Sequence, residues 1–264
     1  MADRSSVTDD PWGDLKQLTS ARIALGRAGG SLPTGEWLAF KLAHAKARDA
    51  VHCAFDAKRI EQAFEALGTE SVIVDTMAAN RMIYLQRPDL GRRLGEASRA
   101  LVGRRSGAFD LVIIVSDGLS ATAVHEQVPP LASLLLPQLQ TDSWKLAPIV
   151  IARFGRVVLE DEIGALIGAD IALMLVGERP GLGSPDSLGA YLVYGPKPGN
   201  TDADRNCVSN IRPEGLDHQR AADVIVYLLN ESRRRKISGI DLKDERRTLP
   251  GNAAAALGSS ERSR

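Results

Sequence analysis

The chain has 264 residues, with 33 Lys plus Arg against 33 Asp plus Glu, and is 44% hydrophobic and 5% aromatic. That length suits one large domain, or one domain with a smaller extension, and the apolar content excludes a wholly disordered chain. A formal net charge of zero provides no long-range field for polyphosphate or an anionic membrane, so neither nucleic acid nor a membrane is an expected partner. Apolar runs such as Ile171 to Val176 fall far short of the roughly 18 residues that a membrane span needs. Cys53 and Cys207 are the only cysteines, which provides neither a disulfide framework nor a Cys-rich metal site and fits a reducing compartment. The start, MADRSSVTDDPWGDLKQL, is acidic and has no apolar stretch, so no secretory or transit leader is expected and the predicted location is cytoplasmic.

Residues 1–13 are expected to form a flexible N-terminus. From Asp14 to Gly68 the pattern is helical: Trp37, Phe40, His44, Ala47 and Val51 step three, four, three, four along one helix face, and Ile60, Phe64 and Leu67 continue the period in a second helix. His44 and His52 on the first helix read as core or boundary residues. From 69 to 243 the signal becomes short β-branched runs at Val72–Val74, Leu111–Val115, Ile149–Ala152, Ile171–Val176 and Tyr191–Tyr194. Helical stretches separate them, beginning near Asp89 and spanning Ser120–Leu139, Glu160–Ile167 and His218–Arg235. Unbroken apolar strands alternating with helices predict an α/β fold: a Rossmann-like, doubly wound, mostly parallel sheet with an N-terminal helical extension. Ala221, Val224, Ile225, Leu228 and Leu229 form the apolar face of the last helix, and Arg233 to Lys236 complement its C-terminal dipole. Residues 244–264 lack periodicity and are expected to be a disordered tail.

Open α/β sheets bind ligands beyond the carboxyl ends of their strands, so the loops there carry the candidate chemistry. Ser116-Asp117-Gly118-Leu119-Ser120 suits a tight turn and a helix cap, or a ligand. Arg153-Phe154-Gly155-Arg156-Val157 offers two guanidiniums, for which Glu160-Asp161-Glu162 is the obvious intrachain partner. Gly177-Glu178-Arg179-Pro180-Gly181-Leu182-Gly183-Ser184 is the most unusual segment, a loop whose backbone can approach a ligand closely. It is neither a Walker loop nor a dinucleotide fingerprint. Within it, Glu178 either meets a ligand or pairs with Arg179. Asp204 to Asn210 reads as a fourth loop, rich in groups that donate and accept hydrogen bonds. Cys207 there reads as a small apolar residue more readily than as a nucleophile. Ser116, Asp117 and His125 can be assembled on paper into a hydrolase set, but no Gly-x-Ser-x-Gly elbow is present.

Taken in order, the strings ARIALGRAG, YLQRPDLGRRL, VIIVSDGLS, ARFGRVVLEDEIG, LMLVGERPGLGS and DRNCVSNI resemble the small (light) subunit family of ethanolamine ammonia-lyase, from about Asp14 to Ile240. The resemblance implies an α/β subunit that packs against a large barrel subunit as a hetero-oligomer and closes over adenosylcobalamin. The holoenzyme of that family converts ethanolamine to acetaldehyde and ammonia by a radical route. Its substrate-handling side chains belong to the large subunit, so no catalytic residue and no metal ligand is expected here. The family positions that touch adenosylcobalamin match Val157, Glu178 and Cys207. Corrin side chains end in primary amides, from which Glu178 can accept, while Val157 and Cys207 engage through backbone and apolar contact. The sequence has no Asp-x-His-x-x-Gly string, so the cobalt is expected to keep its dimethylbenzimidazole base. Some members carry a longer N-terminal extension that directs the enzyme into a bacterial microcompartment; this chain has little before Trp12, which leaves encapsulation open. A self-sufficient α/β enzyme and a ligand-free scaffold subunit are the alternatives.

Overall fold

The computed structural model describes residues 6–246, so the expected flexible start and disordered tail lie, for residues 1–5 and 247–264, outside the described residues. Six strands, β1 (Ser71–Asp75), β2 (Phe109–Ser116), β3 (Ile149–Arg153), β4 (Ala169–Gly177), β5 (Leu188–Tyr194) and β6 (Arg205–Ile211), form one sheet in the order β1-β3-β2-β4-β5-β6. The first four in that order are parallel, and β5 and β6 add on as antiparallel strands. Helices are α1 (Thr34–His52), α2 (Ala57–Ala66), α3 (Arg81–Gln86), α4 (Glu96–Gly103), α5 (Ala121–Thr141), α6 (Leu159–Ile167) and α7 (His218–Arg235).

The period of two in the strands divides the core into two layers. Leu111, Ile113 and Val115 of β2 and Ile171, Leu173 and Leu175 of β4 face α2, α5 and α7, whereas Val112, Ile114, Ala172 and Met174 face α4 and α6. Both faces are therefore covered, as the unbroken apolar runs require. The helix predicted near Asp89 opens instead with a 3-10 turn at Leu90–Arg92, and α4 begins at Glu96. The segment predicted as a fourth loop is β6. Its register against β5 pairs Tyr191 with Cys207 and Leu192 with Asn206. Edge exposure explains the missed strand: only Arg205, Val208 and Ile211 are buried, so the apolar run that marks the inner strands is absent.

Helix α5 runs through Pro129, Pro130 and Pro137. Proline at 129 removes the amide that would satisfy the His125 carbonyl, and the Arg59 guanidinium on α2 donates to that oxygen at 3.4 Å. Helix α1 keeps only part of its expected inward face: Phe40, Ala47 and Val51 are half-buried, but Trp37 and His44 are exposed. Its buried residues are Ala43 and Ala50, while Trp37, Leu38 and Leu42 are 46%, 59% and 58% exposed, and His44 and His52 are exposed rather than core. The helix approaches α5 through small side chains and turns its bulky face outward. Trp12, Leu15, Leu18 and Leu32 are also exposed, so most of the exposed large apolar side chains among the described residues lie between positions 12 and 42.

At the opposite side of the sheet, Arg205 of β6 is buried and its guanidinium donates to Glu160 at 2.8 Å and to Asp161. Glu162 is held by Arg99 at 2.5 Å and accepts from the Leu94 amide at 2.9 Å. The acidic run at the start of α6 thus pairs with Arg205 and Arg99, and the expected pairing with Arg153 and Arg156 does not form. Arg153 bonds Asp75 at 3.0 Å. Burial pushes the Glu160 carboxyl well above its usual range, with Arg205 opposing that shift. Removing one partner of a buried pair strands the other. Arg205→Met is expected to cost about 3–5 kcal/mol in urea unfolding, and adding Glu160→Gln to it should recover part of that loss.

Candidate functional site

The loops after β2, β3 and β4 meet in one cleft of about 380 Å³, walled by Gly118, Gly155, Arg156, Val157, Gly177 and Glu178 and lined also by Tyr84 and Tyr191. Its floor is backbone. Gly118 has φ +51°, and a Cβ there would sit 2.3 Å from the Gly177 carbonyl oxygen. A Cβ on Gly177 would lie 2.1 Å from the Ser120 oxygen, and the Leu119 amide donates to the Gly177 carbonyl at 2.8 Å. Glycine at both positions lets the loops of two neighbouring strands touch.

Asp117 ties the floor together. Its buried carboxylate accepts from the Phe154 amide at 2.7 Å and from Arg81 at 3.0 Å. Arg81 also donates to the carbonyls of Val51 at 2.7 Å and Gly118 at 2.6 Å, which joins α1 and α3 to the same knot. Phe154 holds φ +59°, a conformation costing a non-glycine residue roughly 1–2 kcal/mol. The Asp117 bond to its amide and the Tyr84 hydroxyl, which donates to Gly155 at 3.0 Å, hold it there. The Ser120 hydroxyl caps α5 by accepting from the Ala123 amide at 3.1 Å. The Ser-Asp-Gly turn is thus architectural. His125 joins neither Ser116 nor Asp117: its Nε2 accepts from the Asp56 amide at 3.0 Å and its ring stacks on Phe55, so the hydrolase set is not assembled.

Val157 lies in the entry turn of α6, half-buried at the cleft wall. Glu178 follows β4, and its carboxylate does not pair with Arg179. It accepts from the hydroxyls of Ser187 at 2.5 Å and Ser209 at 2.6 Å and from the Asn210 amide at 3.3 Å. A carboxylate has about four lone-pair sites, so one remains for a ligand. Gly189 underlies this arrangement, because a Cβ there would meet Glu178 at 2.9 Å and the Tyr191 ring at 3.0 Å. Cys207, on exposed β6, sits opposite Tyr191 and beside Ser209. Burial of the sulfur pushes its thiol up, and the Glu178 and Glu160 carboxylates add to the shift. A thiol held protonated is a contact surface rather than a nucleophile. Among the described residues, no group of three or more His, Cys, Asp or Glu is gathered for a metal. Sequence patterning missed Tyr84 and Tyr191 as cleft residues and Arg81 as the cation beneath its floor. Helix α3 is too short for a period to show, and Tyr191 is hidden in an apolar strand.

Burial pushes the Asp117 carboxyl up to about 6, although Arg81 and the Phe154 amide both favour its ionised form. The folded chain therefore keeps this proton to a higher pH than the unfolded chain, whose carboxyl titrates near 3.8. Between those values the unfolded state binds fewer protons, and stability falls as pH rises, by up to about 3 kcal/mol, then levels above pH 6. Urea unfolding at pH 4, 5, 6 and 7 should show this descent, and Asp117→Asn should remove it.

Residues 9–243 match the family model of the ethanolamine ammonia-lyase light chain. The ethanolamine ammonia-lyase small subunit of Azotobacter vinelandii is 50% identical over 249 residues, covering 93% of this chain and 92% of that protein. The small subunit of Pseudomonas putida is 51% identical over the same coverage, and that of Pseudomonas fluorescens is 49% identical over 257 residues, 95% of this chain and 94% of its own. With the match spanning the whole sheet and every loop of the cleft, the chain belongs to the ethanolamine ammonia-lyase light-chain family.

Proposed function

We propose that this subunit forms one wall of an adenosylcobalamin site whose other wall, together with the groups that handle ethanolamine, is supplied by the large subunit. The observation that carries this reading is the convergence of Val157 and Glu178 on one glycine-floored cleft, with Cys207 against its Tyr191 end. The residues fit the group. Glu178 is fixed by three donors with one acceptor site left, suited to a primary amide N–H. Val157 and the glycine backbone offer apolar and close contact. When bound, adenosylcobalamin supplies a homolysable cobalt–carbon bond and with it the radical chemistry of the reaction. This chain's own residues orient and exclude water: no nucleophile and base stand in hydrogen-bond reach among the cleft residues.

The large subunit is placed against the outward apolar face of α1 and the segment before it. That face borders the glycine loop: Leu42 and Leu182 line one cavity, and Arg22, in the segment before α1, donates to the Leu182 carbonyl at 3.3 Å. Exposed Trp37, Leu38 and Leu42 give the apolar centre that a permanent subunit interface needs.

Three outcomes are expected. Purified alone with ethanolamine and adenosylcobalamin, the chain yields no acetaldehyde, whereas the two-subunit enzyme does. In the two-subunit enzyme, Glu178→Gln raises the adenosylcobalamin Kd about tenfold to a hundredfold in a spectral titration, the effect of losing a charge-assisted hydrogen bond of roughly 1.5–3 kcal/mol. An unchanged Kd with a lowered melting temperature would assign Glu178 to the internal Ser187 and Ser209 bonds alone. Leu38→Glu with Leu42→Glu leaves the far-ultraviolet spectrum of the chain intact and abolishes co-purification with the large subunit; retained co-purification would place the interface elsewhere.

A further inference from the structure

Two cations of the cleft, Arg156 and Arg179, lack an acceptor among the described residues, and of these only Arg156 has a buried nitrogen and a ring to hold it. Its guanidinium lies 4.3 Å from the centroid of the buried Tyr84 ring. Its Nε is buried without a hydrogen-bond partner, and no ion pair or side-chain hydrogen bond engages the rest of the group. The backbone beneath it is held on both sides. The Arg156 amide donates to the Gly91 carbonyl at 2.8 Å, and the Tyr84 hydroxyl donates to Gly155. Gly91 admits no Cβ, which would fall 2.7 Å from the Phe154 oxygen and 2.8 Å from the Tyr84 ring.

The surrounding carboxylates are committed elsewhere. Asp117 serves Arg81 and the Phe154 amide, Asp75 serves Arg153, Glu160 and Asp161 serve Arg205, and Glu162 serves Arg99. A partly desolvated guanidinium without an acceptor is costly, and its planar fork is suited to an oxygen brought by a ligand. The loops bearing Arg156 and Glu178 follow β3 and β4, with β2 between. Two strand spacings put those positions roughly 10 Å apart. A ligand that engages both needs polar groups at that separation, an acceptor at one end and a donor at the other. The amide-bearing rim of a macrocycle meets this requirement, and a two-carbon amine does not.

We infer that Arg156 is a second polar anchor of the cofactor wall, donating from its guanidinium, stacked on Tyr84, to the carbonyl oxygen of a corrin side-chain amide while Glu178 accepts from another. This rests on the reading of the cleft as a cobalamin wall. The Glu178 carboxylate on the facing loop favours a neutral amide over the other oxygen source in the same cofactor, the nucleotide-loop phosphodiester.

The test uses the two-subunit enzyme titrated with adenosylcobalamin and, separately, with adenosylcobinamide, which keeps the corrin amides and lacks the phosphodiester and its base. Arg156→Met retains the apolar stem over Tyr84 and removes the fork; it is expected to raise Kd about ten- to a hundredfold for both compounds relative to the unmodified enzyme, with Arg156→Lys between the two. A loss confined to adenosylcobalamin would overturn the amide assignment in favour of the phosphodiester. Unchanged affinity for both, with a lower melting temperature of the cofactor-free complex, would reduce Arg156 to a stacking partner of Tyr84. Failure of the unmodified enzyme to bind adenosylcobalamin would instead overturn the cofactor wall itself.

Discussion

The geometry of the cleft depends on one buried carboxylate. Asp117 stands at the end of the central strand β2, where the loops after β2 and β3 and the guanidinium of Arg81 converge. Through Arg81 it reaches the last turn of α1 and the start of α3, so four segments distant in sequence share a single charge. Burial opposes that charge, and three kinds of donor restore it: a backbone amide, a cation and a neighbouring hydroxyl. The positive φ of Phe154 and the contact between Gly118 and Gly177 are held within this knot. Backbone packed so closely leaves little freedom for the side chains that project from it, and Arg156, Val157 and Glu178 are presented from fixed points.

The polar groups of the cleft are mostly fixed by their neighbours. Among the described residues its ionisable groups are engaged with hydroxyls, amides or one another, except for the guanidiniums of Arg156 and Arg179, which cannot lose a proton at any ordinary pH. Cys207 is kept as a thiol, and His125 is spent on the Asp56 amide and the Phe55 ring. Acid–base chemistry needs a group whose proton can move near neutral pH and that also reaches the ligand. Asp117 titrates near that range, but it is buried beneath the floor and faces Arg81 and Phe154. This distribution of groups supports the proposed role of a subunit that orients a cofactor.

The second buried network, Arg205 with Glu160 and Asp161, shows how the antiparallel strands are joined to the parallel body. It pins edge strand β6, and with it Ser209, Asn210 and Cys207, to the N-terminal turn of α6, which begins two residues after Val157. The residues that the family resemblance singled out are thereby placed on one framework from three parts of the chain.

Much of the fold was legible in the sequence, because burial leaves a direct trace: short apolar runs mark β1 to β5, and α5 and α7 fall where the period of about 3.6 places them. The loops of the cleft were legible too, since glycine is needed wherever backbones touch. What the tertiary structure alone decided is pairing and orientation. Strand β6 escaped because only Arg205, Val208 and Ile211 of its seven residues are buried, and the inward face of α1 was misjudged because its contact with the body is centred on alanines rather than on its largest side chains. Arg153 and Arg156 have acids close by in sequence, yet those acids went to Arg205 and Arg99, from opposite sides of α6. Local sequence sets which residues are apolar, small or charged; which charges meet is set by how strands distant in sequence are ordered in the sheet, and that order is a property of the whole packed core.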